Sequence, residues 1–350
     1  MAALSVLEPS PTRDPDAVRR ARRTPRRRSR LVAAGLSLVL LVAFAARVLL
    51  GDFTYTIPDI FRILFGAVLP GASFILMESK LPRAVLAVLV GLAFGVGGAI
   101  FQTTLRNPLA SPDIIGVSAG ASASAVVAIV VLDLDGWPVS VAAVLGAFVV
   151  AAVARAVAGH DTGFRLVLVG VGLAAALQAV IQYVFTRADE YDAQLVLRWL
   201  TGSVSRADWA TIRVLALVLL VLLPVTVRLA RSLRATELGE DAAAGLAVPR
   251  GRSDLLLLLA VALTAVGVAA AGPVAFVAFL AGPIARALNG GRTTLLGAGL
   301  TGATIVVGAD YVADYLLTDI NFPVGVVTGA LGAPFLLWLL ASGRTGRRAA

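Results

Sequence analysis

The chain has 350 residues, of which 59% are hydrophobic and 15% charged, and its mean hydropathy of +0.90 lies far outside the range of a soluble globular domain. The net charge of +9 sits at the two ends: residues 1–30 hold nine arginines against Glu8, Asp14 and Asp16, and residues 343–350 add Arg344, Arg347 and Arg348. The absence of cysteine removes disulfides and thiolate metal sites, and the single histidine, His160, leaves a transition-metal centre without ligands.

The first element is the arginine-rich segment 1–30, read as a cytosolic tail by the positive-inside rule and not as a nucleic-acid arm. The apolar run 31–50 follows. Ala43-Phe44-Ala45 resembles a signal-peptidase site, but the run continues past it to Leu50, which favours an uncleaved first span. Further membrane-length apolar segments lie at 84–105, 114–132, 137–158, 165–186, 212–230, 254–271, 273–288, 295–317 and 324–341. The runs are continuous, not alternating, so the fold class is an all-α polytopic membrane protein with about ten transmembrane helices. An even number of spans places both termini in the cytosol. It also places Arg155, Arg165, Arg228, Arg231, Arg234, Arg250 and Arg252 inside and the acidic "DLDGWP" turn at 133–138 outside. The organisation is a basic tail over 1–30, one transmembrane domain over 31–342 and a basic tail over 343–350.

The segment 273–288 is bounded by Ala271-Gly272-Pro273 and Ala281-Gly282-Pro283, and reads as a short outer half-helix followed by a span or as a kinked helix. The stretches 187–211 and 231–253 read as polar loops. Within the second, "ELGEDAAAGLA" has the acidic start and alanine content of a short cytosolic helix. Gln178 and Gln182 share one helix face inside a span, where they either bond a neighbouring helix or line a polar route. Asp310 and Asp314 are also four apart, near the outer end of the ninth span, and read as a cap or an ion pair in preference to a proton relay. "LRNPLASPDIIGVSAG", 105–120, is a proline-punctuated loop at a membrane edge. Lys80 is the only lysine and follows Ser79, so no phosphate-binding loop of the Gly-Lys-Ser/Thr type exists here. ATP-driven work needs a partner.

Four stretches, "LPRAVLAVLVGLAFGVGGAIFQTTLRNPLASPDIIGVSAGAS", "LGEDAAAGLAVP", "GPVAFVAFLAGPIARAL" and "NFPVGVVTGALGAPFLLWLL", stand in an order and spacing that resembles the FecCD-type permeases, over about residues 30–342. These are membrane subunits of bacterial ABC importers for iron chelates, haem and cobalamin. The resemblance implies a cytoplasmic-membrane permease that is not itself an enzyme and binds no cofactor. ATP and Mg would sit on two copies of a cytosolic ATPase. A second permease, identical or paralogous, would complete the pathway, and a substrate-binding lipoprotein or periplasmic protein would deliver a ferric siderophore.

Carried over by position, the resemblance assigns docking of the binding protein to Lys80 and Arg83, and the cytosolic gate to Asn107, Leu109, Thr162 and Gly163. It assigns ATPase coupling to Leu238, Gly239, Glu240, Asp241 and Leu246, and the pathway lining to Gln178, Gln182 and the segment from Pro323. Asp314 stands where the family usually carries a basic residue, and Gly282-Pro283 replaces its Pro-His. An ion-coupled secondary transporter is the competing class, on the strength of Asp310 and the proline-broken segment.

Overall fold

A computed structural model of the chain describes residues 15–51, 53–159, 163–237, 242, 245, 247–249, 251–317 and 321–341. Of the expected functional residues, Thr162, Leu238, Gly239, Glu240, Asp241 and Leu246 lie outside this set, as does His160. All regular structure among the described residues is helical. The helices are α1 (Pro15–Leu49), α2 (Ile57–Leu64), α3 (Ala72–Thr104), α4 (Val117–Val130), α5 (Trp137–Ala158), α6 (Phe164–Phe185), α7 (Glu190–Thr201), α8 (Trp209–Thr236), α9 (Arg252–Ala271), α10 (Val277–Leu288), α11 (Leu295–Leu316) and α12 (Val324–Ala341). Seven are long and apolar enough to cross a membrane, and three shorter apolar helices, α4, α10 and α12, occupy the remaining expected spans.

The centre of the bundle is α3, packed on α8, α9, α10 and α11. Its sequence explains this position. Small residues recur along it, and a Cβ on Gly91, Gly95 or Gly98 would strike the backbone of Ala303, Ala298 or Ala278. In a lipid solvent such close backbone approach is what dispersion packing requires.

Three features depart from the sequence expectation. First, α3 begins at Ala72, not near residue 84, because a π-helical turn over Ile75–Lys80 lets it run through Pro82. The Leu81 amide there reaches back to the Leu76 carbonyl, so the ladder is already rearranged where Pro82 has no N–H to give.

Second, the loop 187–211 contains α7. Asp189 caps it by accepting from the Asp192 amide at 2.8 Å, and Val196 is buried beneath it. Its end is stitched to two other elements: the Ser203 amide donates to the Ala271 carbonyl at 2.7 Å, and the Gly325 amide to the Gly202 carbonyl at 3.1 Å. Gly202, at φ +66°, is required here because a Cβ would run into the Pro273 carbonyl.

Third, the chain between α9 and α10 breaks over 272–276, with Phe276 in the left-handed region, whereas Pro283 sits inside an unbroken α10. A proline at 283 frees the Phe279 carbonyl of its usual amide partner. Gln102 of α3 takes that place, its Nε2 donating to the Phe279 carbonyl at 2.9 Å. Gly282 makes the approach possible, because a Cβ there would collide with the Gln102 Oε1.

Candidate functional site

At the outer end of the bundle four charges meet in a buried cluster. Arg47 of α1 donates from Nε to Asp310 at 2.6 Å and from Nη2 to Asp314 at 2.9 Å. Arg83 of α3 reaches the same two carboxylates, with Nη2 to Asp310 at 2.8 Å and Nη1 to Asp314 at 2.9 Å. Two arginines balance two aspartates, and side-chain exposure ranges from 1% at Asp310 to 13% at Arg83, so the quartet is neutral as a unit and largely out of solvent. Tyr315 accepts from Arg47 Nη1 at 2.9 Å and lies beneath its guanidinium. The pattern ties the ends of α1, α3 and α11 together, with a π-helical turn in α11 over Val312–Leu316 presenting Asp314 and Tyr315.

Of the cap and the ion pair expected at Asp310 and Asp314, the structure has the ion pair. The residue that sequence reasoning passed over is Arg47, a charge within the apolar run 31–50. An intramembrane arginine needs a counter-charge, and that was the available signal. Asp314 pairs with both Arg47 and Arg83 and, with Asp310, neutralises them inside the chain.

Both cations expected at the docking surface are turned inward. Lys80 is 4% exposed, its Nζ donating to the carbonyls of Leu50 at 2.6 Å and Phe53 at 2.5 Å, above the rings of Tyr55 and Tyr315. Arg83 belongs to the quartet.

At the inner end, α3 closes on a Schellman arrangement: the Arg106 amide donates to Thr103 at 3.2 Å and the Asn107 amide to Gln102 at 3.1 Å, with Arg106 at φ +52°. Asn107 then folds the loop on itself, its Oδ1 accepting from the Leu109 amide at 2.9 Å and its carbonyl from the Ala110 amide at 3.0 Å. Asp113 continues the pattern, accepting from the Ser111 and Ser118 hydroxyls. Burial pushes the Asp113 carboxyl up, and those two hydroxyl bonds pull it back. Asn107 is exposed and Leu109 half-buried. The far end of the loop rests on α6, where a Cβ on Gly170 would strike Ile115. Gly163 stands at the start of the same helix, seven residues before Gly170.

Gln178 and Gln182 are both exposed on α6 in the single chain, so they do not serve packing within it. Pro323 precedes α12 and is half-buried, its carbonyl accepting from the Val326 amide at 3.0 Å.

The model of the FecCD transport family matches residues 39–342. The ferric enterobactin transport system permease protein FepG of Escherichia coli is 37% identical over 295 residues, covering 83% of this chain and 89% of that protein. The achromobactin transport system permease protein CbrC of Dickeya dadantii is 37% identical over 322 residues, 88% and 91% of the two chains. The vitamin B12 import system permease protein BtuC of Vibrio vulnificus is 33% identical over 311 residues, 86% and 93%. Among solved structures, a metal-chelate type ABC transporter in an inward-facing conformation superposes with a TM-score of 0.77 at 24% identity, over 89% of this chain and 99% of that one. At that identity the likeness speaks for the fold.

Proposed function

The chain belongs to the FecCD transport family, and from that premise we propose that it is the permease through which a ferric siderophore enters the cell, driven by a separate ATPase. The observation that carries the substrate is the pair of relatives named for enterobactin and achromobactin, each matched over more than four fifths of its length. A chelate brings its own iron coordination, so a pathway poor in histidine and cysteine suits it. In this reading a second permease faces α6 and α12 across a two-fold or pseudo-two-fold axis, and Gln178, Gln182 and the segment from Pro323 line the route between them. The exposure of both glutamines supports this.

The inner gate is the loop carrying Asn107 and Leu109 together with Thr162 and Gly163. The coupling element is the segment holding Leu238, Gly239, Glu240, Asp241 and Leu246, seated on an ATPase that binds ATP and Mg. A binding protein docks at the outer end. Because Lys80 and Arg83 are consumed inside the chain, their part in docking is to hold the rim in shape for the partner's lobes.

The experiment is uptake. Deleting the gene abolishes accumulation of labelled ferric siderophore under iron starvation, and the gene supplied in trans restores it. Normal uptake in a deletion strain that has no second siderophore importer would overturn the reading. A cobalamin importer is the second reading, favoured by the Vibrio vulnificus relative, and loss of labelled cobalamin uptake with siderophore uptake intact would establish it instead.

A further inference from the structure

We propose that α2 is a membrane-interface helix that lays its outward apolar face into the lipid headgroup boundary of the outer leaflet, anchoring the outer rim of the protein to the bilayer surface. Three faces of α2 have three characters. Ile60 and Ile63 point into the protein and pack with Val48, Tyr55 and Leu76. Ile57, Phe61, Leu64 and Phe65, which share a second face by their spacing, are all exposed, with Phe65 at 87%. Asp59 and Arg62, three residues apart, form the third. A helix on a protein surface bathed by water shows one apolar face, turned inward. A second apolar face set beside a charged one is the arrangement of a helix lying in an interface.

The depth of α2 is fixed by the chain. The apolar run of α1 ends at Leu50, and the Tyr55 amide donates back to the Leu49 carbonyl at 2.9 Å, so the strand between the helices folds down instead of rising into solvent. Lys80 holds the same strand by the carbonyls of Leu50 and Phe53, and the Tyr55 hydroxyl donates to the Ala72 carbonyl at 2.5 Å. Thr56, one residue later, caps α2. The helix therefore starts level with the outer end of a membrane span. Below that level the outward face of α1 is apolar as well, with Leu38 and Val42 62% and 61% exposed on a helix long and apolar enough to cross a membrane. The Phe61 and Phe65 rings stack at 6.4 Å, and Val68 and Phe74, beyond the helix, are exposed too. Phenylalanine and leucine on one face are what an interfacial helix buries at the headgroup boundary.

The chain contains no cysteine, so Phe65→Cys, Arg62→Cys and Val39→Cys each give a single thiol for a spin label. The full importer is reconstituted in vesicles of phosphatidylethanolamine and phosphatidylglycerol, and collision with oxygen is compared with collision with a water-soluble nickel chelate. The label at 65 should favour oxygen several-fold over nickel, as the one at 39 does on α1, while the label at 62 favours nickel. Equal access of nickel to 62 and 65 places the face in water and overturns the proposal. A label at 65 shielded from both reagents in the assembled permease pair makes the face a subunit contact, and one shielded only when the binding protein is added makes it a docking surface; either result also overturns it. Retained uptake by each variant confirms that the labelled chain is folded.

Discussion

In its outer part α3 offers Arg83 to two aspartates that it shares with Arg47, and at its inner end it stops at Thr104 and passes into a loop whose bonds run between near neighbours. The outer junction joins three helices distant in sequence through charge, with no net charge left over. The inner junction holds its shape through backbone amides, an Asx turn and hydroxyl groups, and the side chains just before it, Gln102, Thr103 and Thr104, keep polar atoms without partners among the described residues. A buried ionic quartet resists partial opening, since every removed contact strands a charge. A loop closed on itself can move as a unit on its neighbours without breaking its own bonds. The contrast is that of a rim tied across three helices by charge and an inner loop tied mainly by its own backbone, the arrangement that suits the inner gate proposed for that loop.

The strongest way to break the contrast is at Asp310, which touches both arginines. Asp310→Ala leaves Arg47 and Arg83 facing Asp314 alone and should destabilise the purified protein by about 3–5 kcal/mol, read as a fall in midpoint in detergent denaturation. A change under about 1 kcal/mol would mean that the cluster is hydrated and the rim is not fixed by it.

A smaller effect, at the inner half of α3, tests how α10 tolerates its proline. Gln102→Leu removes the donor that stands in for the missing amide of Pro283 and leaves the Phe279 carbonyl buried and unpaired, a loss of about 1–3 kcal/mol. Pro283→Ala restores an amide at that place, so in the Gln102→Leu background it should recover most of the loss. Additive losses in the double variant would show that the Gln102 bond does not substitute for the helix ladder.

Much of this was legible in the sequence, and the reasons for the remainder are physical. The ten spans follow from unbroken apolar runs, and each has its helix. The start of α3 was hidden because Pro82 and the charges Glu78, Lys80 and Arg83 look like the end of a span, whereas a π turn carries the helix through Pro82, Lys80 turns to the Leu50 and Phe53 carbonyls and Arg83 enters the buried quartet. α7 was hidden because a short helix with one buried valine leaves little periodic trace. Asp310 and Asp314 read as a cap or an ion pair, and spacing along one helix can neither choose between these nor name partners on two other helices. The inward turn of Lys80 was out of reach for the same reason: only the folded chain brings the carbonyls of Leu50 and Phe53 to its ammonium.

The smallest expected effect sharpens the comparison by using an ion pair of the opposite kind. Arg155 of α5 grips Asp254 of α9 at the inner end, Nε and Nη2 each meeting one carboxylate oxygen at 2.8 and 3.0 Å, yet the two side chains are 32% and 46% exposed. Solvent and counter-ions reach this pair, so Arg155→Gln should cost about 0.5 kcal/mol at low ionic strength and close to nothing at molar salt. The loss caused by Asp310→Ala should persist across the same salt range, because the quartet has little contact with water. Measuring both variants and the parent chain over one series of salt concentrations sets the two ends side by side. If the Asp310 effect fades with salt as the Arg155 effect does, ions penetrate the outer rim, and its rigidity must come from apolar packing around Leu76 and Val48 instead of from charge.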